Sequence, residues 1–171
     1  MTVERTLARV EDDLRTGEVA MARTRLRSLV AAFPQRLDLR ERLAHAYRLE
    51  GDKAQAGRWS FLAEDRDPAE LAAFGKAYRR DAVRVMGALG WRGDEDDAAT
   101  PTARDRLREI RARAEEQAQR PLEWAEVPSG VATDESPLAV VGCALVALAL
   151  LVVFVVGAVS VVGWVVRAIA S

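Results

Sequence analysis

The sequence predicts an all-α protein: repeated helical hairpins followed by one C-terminal transmembrane helix. Two observations carry this. Gly17 and Gly51, Ala22 and Ala56, and Pro34 and Pro68 are each 34 residues apart, a period that points to a repeated supersecondary unit. Residues 138–166 hold no charged side chain, which is too long a run for an ordinary soluble helix. In outline, residues 1–91 form a helical repeat domain, 92–120 an acidic loop and helix, 121–137 a flexible linker, and 138–167 a membrane helix.

The helices follow from apolar spacing. Val3, Leu7, Val10 and Leu14 recur at i, i+4, i+7 and i+11, one face of an amphipathic helix. Val19, Ala22, Leu26, Leu29, Val30 and Phe33 mark a second, and Leu39, Leu43, Ala46 and Tyr47 a third. Asp38 and Glu41 have capping-box spacing at the start of the third. Asp52 and Gln55 have it before a fourth, carrying Ala56, Trp59 and Ala63. Gly17 and Gly51 suit the left-handed residue that ends a helix. Asp67-Pro68-Ala69-Glu70 is a helix start with cap, proline and acid in order. Leu71, Phe74, Tyr78, Val85 and Leu89 then continue the period, as one long helix or as two broken near Asp81.

The second copy of the period resembles the tetratricopeptide repeat in Leu43, Ala44, Tyr47, Gly51, Ala56, Ala63 and Pro68. The first copy matches in Gly17, Ala22 and Pro34 and departs at Arg9, Val10 and Asp13, as an end repeat facing water can. The chain also resembles actinobacterial membrane proteins of unassigned function with such an N-terminal part. The first resemblance implies stacked hairpins whose concave groove takes a peptide or protein partner.

Residues 90–101, with Asp94-Glu95-Asp96-Asp97, read as a solvated loop that lacks the alternating ligands of a calcium loop. Thr102 and Asp105 are placed to cap a helix with a thin stripe of Leu107, Ile110 and Ala114. Pro121, Pro128, Ser129, Gly130 and Pro137 mark the linker, in which Leu122 and Trp124 are the only large apolar residues and can dock on the domain or touch headgroups.

As a helix, 138–166 would be about 43 Å long, enough to cross a hydrocarbon core of about 30 Å once. Trp164 and Arg167 stand where an interfacial anchor belongs. The N-terminus has no apolar signal, so the expected arrangement is a single-pass protein of the bacterial inner membrane, with its N-terminal domain cytoplasmic. Ala139, Cys143 and Ala147, and Gly157, Ser160 and Gly163, are small residues that let two membrane helices approach, which would give a weak homodimer. Cys143, deep in the apolar run, is not expected to react.

Composition narrows function. A single Cys and a single His exclude a disulfide framework and a zinc cluster within one chain. The net charge of −1 gives no bulk attraction to nucleic acid. Arg23, Arg25, Arg27, Arg36, Arg40 and Arg42 are interspersed with acids and lack base-stacking aromatics, so they read as a solvated helix face. His45 reads as a surface or interface residue. Trp59 and Phe61, two apart, point to different sides, one to the core and one outward. No phosphate loop, nucleophile elbow or paired histidines appear, and neither enzyme activity nor a cofactor is expected. The expectation is a membrane-tethered protein-interaction module, with lipid contacts through 138–166. The alternative is a membrane-bound regulator that sequesters a transcription or signalling factor.

Overall fold

The computed structural model describes residues 2–128, and all seven α-helices below lie within them. In order these are α1 Val3–Arg15, α2 Val19–Ala32, α3 Leu37–Leu49, α4 Lys53–Trp59, α5 Pro68–Ala77, α6 Ala82–Leu89 and α7 Pro101–Ala118. A single 3-10 turn, Glu95–Asp97, precedes α7. No strand occurs among the described residues. Each of the first four helices packs on the next in the chain, and α6 packs on α7 and touches α4. The expected membrane helix, Cys143, both small-residue clusters and the second half of the linker lie outside the described residues. No described helix is long and apolar enough to cross a membrane.

The chain turns where its glycines and caps direct. Gly17 (φ +82°) and Gly51 (φ +78°) sit in the left-handed region just past α1 and α3, where a side chain would be strained. Asp52 caps α4 by accepting the Gln55 N–H at 2.9 Å. Asp67 caps α5 by accepting the Ala69 N–H at 2.7 Å, with Pro68 at the first helical position. The α3 capping box does not form. The helix starts at Leu37, so Asp38 lies inside its first turn and is held in a two-pronged pair by Arg36 at 2.7 Å.

Helices α5 and α6 are a pair, not one rod. Arg79 (φ +56°) and Arg80 (φ +55°) reverse the chain, and Asp81 caps α6 by accepting the Arg84 N–H at 3.1 Å. The two period copies also differ. α2 has 14 residues, while α4 has seven and gives way to turns, leaving Ala63 outside any helix. Pro34 lies in a turn before α3, whereas Pro68 opens α5. α7 is capped by Thr100, whose side chain accepts the Ala103 N–H at 3.1 Å, not by Thr102 or Asp105. Pro101 fixes the first helical residue there and so sets the start two residues earlier.

Two apolar clusters form the core. The first joins α1 to α4 through Val10, Leu26, Leu39, Leu43, Tyr47 and Ala56. The second joins Leu62, Phe74, Met86, Leu89 and Trp91 to Leu107, Ile110, Leu122, Trp124 and Val127. The expected boundary at residue 91 therefore runs through a core. The thin stripe of α7 is completed by the loop residues Trp91, Leu122 and Trp124, all buried. The flexible linker expected from 121 is docked over its first part for the same reason: Leu122, Trp124 and Val127 leave water there. The loop 90–101 is likewise part of the core, with Trp91, Glu95 and Ala98 buried. Phe33, expected on the apolar stripe of α2, is instead 43% exposed, because it lies past the last helical residue, where the periodicity no longer holds.

Candidate interaction face

The nine repeat positions are packing and turn positions. Ala22, Leu43, Ala44 and Ala56 are fully buried, and Tyr47 nearly so. Gly17, Gly51, Pro34 and Pro68 shape the connections. None of them offers chemistry to a ligand. What they do is set the helices side by side, so that other residues form a surface.

That surface spans α1, α3 and α5. Arg42 on α3 pairs with Glu11 on α1 at 3.0 Å. Arg48, two turns further along α3, grips Glu70 of α5 with both guanidinium arms at 2.6 and 2.8 Å. The Glu70 carboxylate is buried and also lies 3.4 Å from the Ser60 hydroxyl that donates to it. The charged forks of α3 thus reach the first helix on one side and the fifth on the other. Between them, Arg42, His45 and Leu49 follow i, i+3 and i+7 and share one stripe of α3. His45 is exposed and Leu49 is 53% exposed. Arg23 of α2 pairs with Glu50 at 3.1 Å, which brings the start of α2 to the end of α3. Met21, also exposed, lies on that part of α2.

The arginine-rich stretch is not one solvated face. Arg25 is held by Asp13, Arg36 by Asp38, Arg42 by Glu11 and Arg23 by Glu50. Arg40 belongs to the core. It donates to the Pro34 carbonyl at 2.8 Å and the Leu89 carbonyl at 2.9 Å. Its guanidinium lies 5.6 Å from the ring centres of Trp59 and Trp91. Arg58, also buried, donates to the Ala88 carbonyl at 2.6 Å and stacks 4.4 Å over Trp59. Both cations therefore meet the last carbonyls of α6, the negative end of its dipole. Burial, reinforced by the Arg58 charge, pulls the Arg40 guanidinium down to about 9, which leaves it charged at neutral pH. The pair fastens the first cluster to the second. A period-3.6 reading of α3 places Arg40 beside Leu43 and Ala44, and that adjacency was the available signal.

The acidic run is consumed in the same way. Asp94 accepts the Asp96 N–H at 3.1 Å and donates its own N–H to Asp97 at 3.1 Å. Asp96 pairs with Arg108. Glu95 is buried, accepting from Arg111 at 3.1 Å and from the Trp124 indole at 2.7 Å. Among the described residues, no group of three or more His, Cys, Asp or Glu is placed to hold a metal ion. Trp59 and Phe61 are both half-buried, one against each cluster, where one exposed aromatic was expected.

Residues 1–163 match the profile described as a family of unknown function, DUF6584. The chain belongs to this family. No curated protein and no solved structure matches it. Membership in DUF6584 adds no activity, so the surface chemistry has to carry the functional reading.

Proposed function

We propose that this DUF6584 member is a membrane-tethered, tetratricopeptide-like interaction module, whose α1–α3–α5 face takes a protein or peptide partner. The observation that carries the reading is the α3 stripe of Arg42, His45 and Leu49, flanked by ion pairs to α1 and α5. Leu49, 53% exposed, stands between Arg48 and Glu50, each held in an ion pair to a neighbouring helix, and so offers a partner an apolar contact flanked by fixed charges. The tether is supported by the uncharged run 138–166. In this reading the helical domain faces the cytoplasm.

The test is photo-crosslinking in membranes, with a photoreactive residue at position 45 of the full chain. A discrete adduct that disappears in Leu49→Asp, while the unfolding midpoint stays unchanged, supports the module. No adduct, or one indifferent to Leu49→Asp, removes it. If the adduct contains a transcription or signalling factor, the module acts as a sequestering regulator. Carbonate extraction and protease protection in spheroplasts test the tether and its orientation.

A further inference from the structure

The turn between α5 and α6, with the helix ends on either side of it, carries Lys76, Arg79, Arg80 and Arg84, all exposed. Most arginines of the domain are tied to a carboxylate or a carbonyl. Among the described residues, the side chains of these four make no hydrogen bond or ion pair. Arg79 and Arg80 both lie in the left-handed region, which arginine seldom adopts. The turn is fixed by the Arg79 N–H on the Lys76 carbonyl at 3.0 Å and the Arg80 N–H on the Gly75 carbonyl at 2.7 Å. Asp81 is the one acid between Lys76 and Arg84, and its carboxylate caps α6 by accepting the Arg84 N–H. Four cations against one acid leave residues 76–84 positive.

The second observation is where the described chain leaves the domain. Val127 and Pro128 lie on α6 at Gly87, so close that a Cβ added there would fall 2.6 Å from the Pro128 carbonyl oxygen. Gly87 is five residues from Ala82, about 7.5 Å along the helix axis. From Pro128, nine residues, 129–137, lead to the uncharged run. Fully extended they reach about 30 Å. The described chain therefore ends beside the same short helix that follows the basic turn.

We infer that the basic turn Lys76–Arg84 docks on the anionic lipid headgroups of the membrane that tethers the chain. This rests on the tether proposed above. Four unpaired cations within reach of an anionic surface gain from its negative potential, by about fivefold in binding for each cation. Docking there would orient the domain on the bilayer and fix which way the α3 stripe faces.

The experiment uses the full chain in nanodiscs of phosphatidylcholine alone or mixed with phosphatidylglycerol. A donor dye at Ala72→Cys, in a Cys143→Ser background, reports energy transfer to a headgroup-labelled acceptor. Transfer should be higher in the anionic discs and fall with added salt. Arg79→Asn/Arg80→Asn/Arg84→Gln should weaken docking about a hundredfold; asparagine tolerates the left-handed backbone, so the turn is kept. Replacing the same three with lysine should preserve docking. Equal transfer in both discs, or undiminished docking by the neutralised variant, overturns the inference. Failure of the tether looks different: the chain is then released by carbonate. Selective binding of that released chain to anionic vesicles, lost on neutralisation, still supports the basic turn.

Discussion

The indole N–H of Trp124 donates to the buried carboxylate of Glu95 at 2.7 Å, across 29 positions of sequence. Arg111 donates to the same carboxylate, so loop, helix and post-helical segment meet at one group. Trp124→Phe keeps most of the buried ring and removes the donor. It should cost about 1.5–3 kcal/mol, the range for a hydrogen bond to a charged group. Chemical denaturation followed by circular dichroism measures this. An unchanged midpoint would show that residues 121–128 are not anchored here.

Gly57 of α4 lies directly on the backbone of α5. A Cβ there would stand 2.2 Å from the Glu70 carbonyl oxygen, and backbone must move to admit it. Gly57→Ala should destabilise by about 1–3 kcal/mol or more. Gly75, on α5 and with open space around it, gives the opposite sign: Gly75→Ala should stabilise by about 0.5–1 kcal/mol. Ala56→Leu, at a fully buried site beside Gly57, belongs with the first and should cost about 1–3 kcal/mol. Thermal melts of the three variants decide whether α4 is clamped on both sides.

Arg40 and Arg42 are two residues apart and should behave differently. Arg40→Ala empties a buried volume and strands the carbonyls of Pro34 and Leu89, at a cost of roughly 2–5 kcal/mol. Arg42→Ala breaks an exposed pair with Glu11 and should cost less than about 1 kcal/mol. Similar midpoint shifts in the two variants would contradict the placement of Arg40 between the clusters.

Acid should loosen the α7 end. The Leu122 N–H, then Arg111, hold the Glu115 carboxyl below its usual range, and Arg36 does the same for Asp38. Each group's folded value is depressed. Its contribution is therefore complete above the ordinary carboxylate range and lost as pH falls through the lower folded value. Stability measured from pH 6 downward should decline below about pH 4.5, and Glu115→Gln should flatten that decline. A slope equal to that of the parent chain would mean the Leu122 contact carries no such linkage.

The sequence by itself determined the helices, most of their turns and the 34-residue spacing of the hairpins. Those features are local: apolar residues at 3.6 spacing, Asp52 and Asp67 as caps, Gly17 and Gly51 past helix ends. The sequence also shows the uncharged run 138–166, because an absence of charge needs no partner to be seen. Only the tertiary structure decided which charges are inside. Arg40, Arg58, Glu70 and Glu95 look like any surface residue until their partners arrive from 49, 30, 22 and 29 positions away. It also decided that Leu122 and Trp124 complete the α7 core, since a thin apolar stripe does not say what covers it. The α3 capping box failed for a related reason: Arg36, two residues before Asp38, captured the carboxylate while the helix began early. Spacing fixes what a residue can reach along its own helix, and packing decides which of several reachable partners it takes.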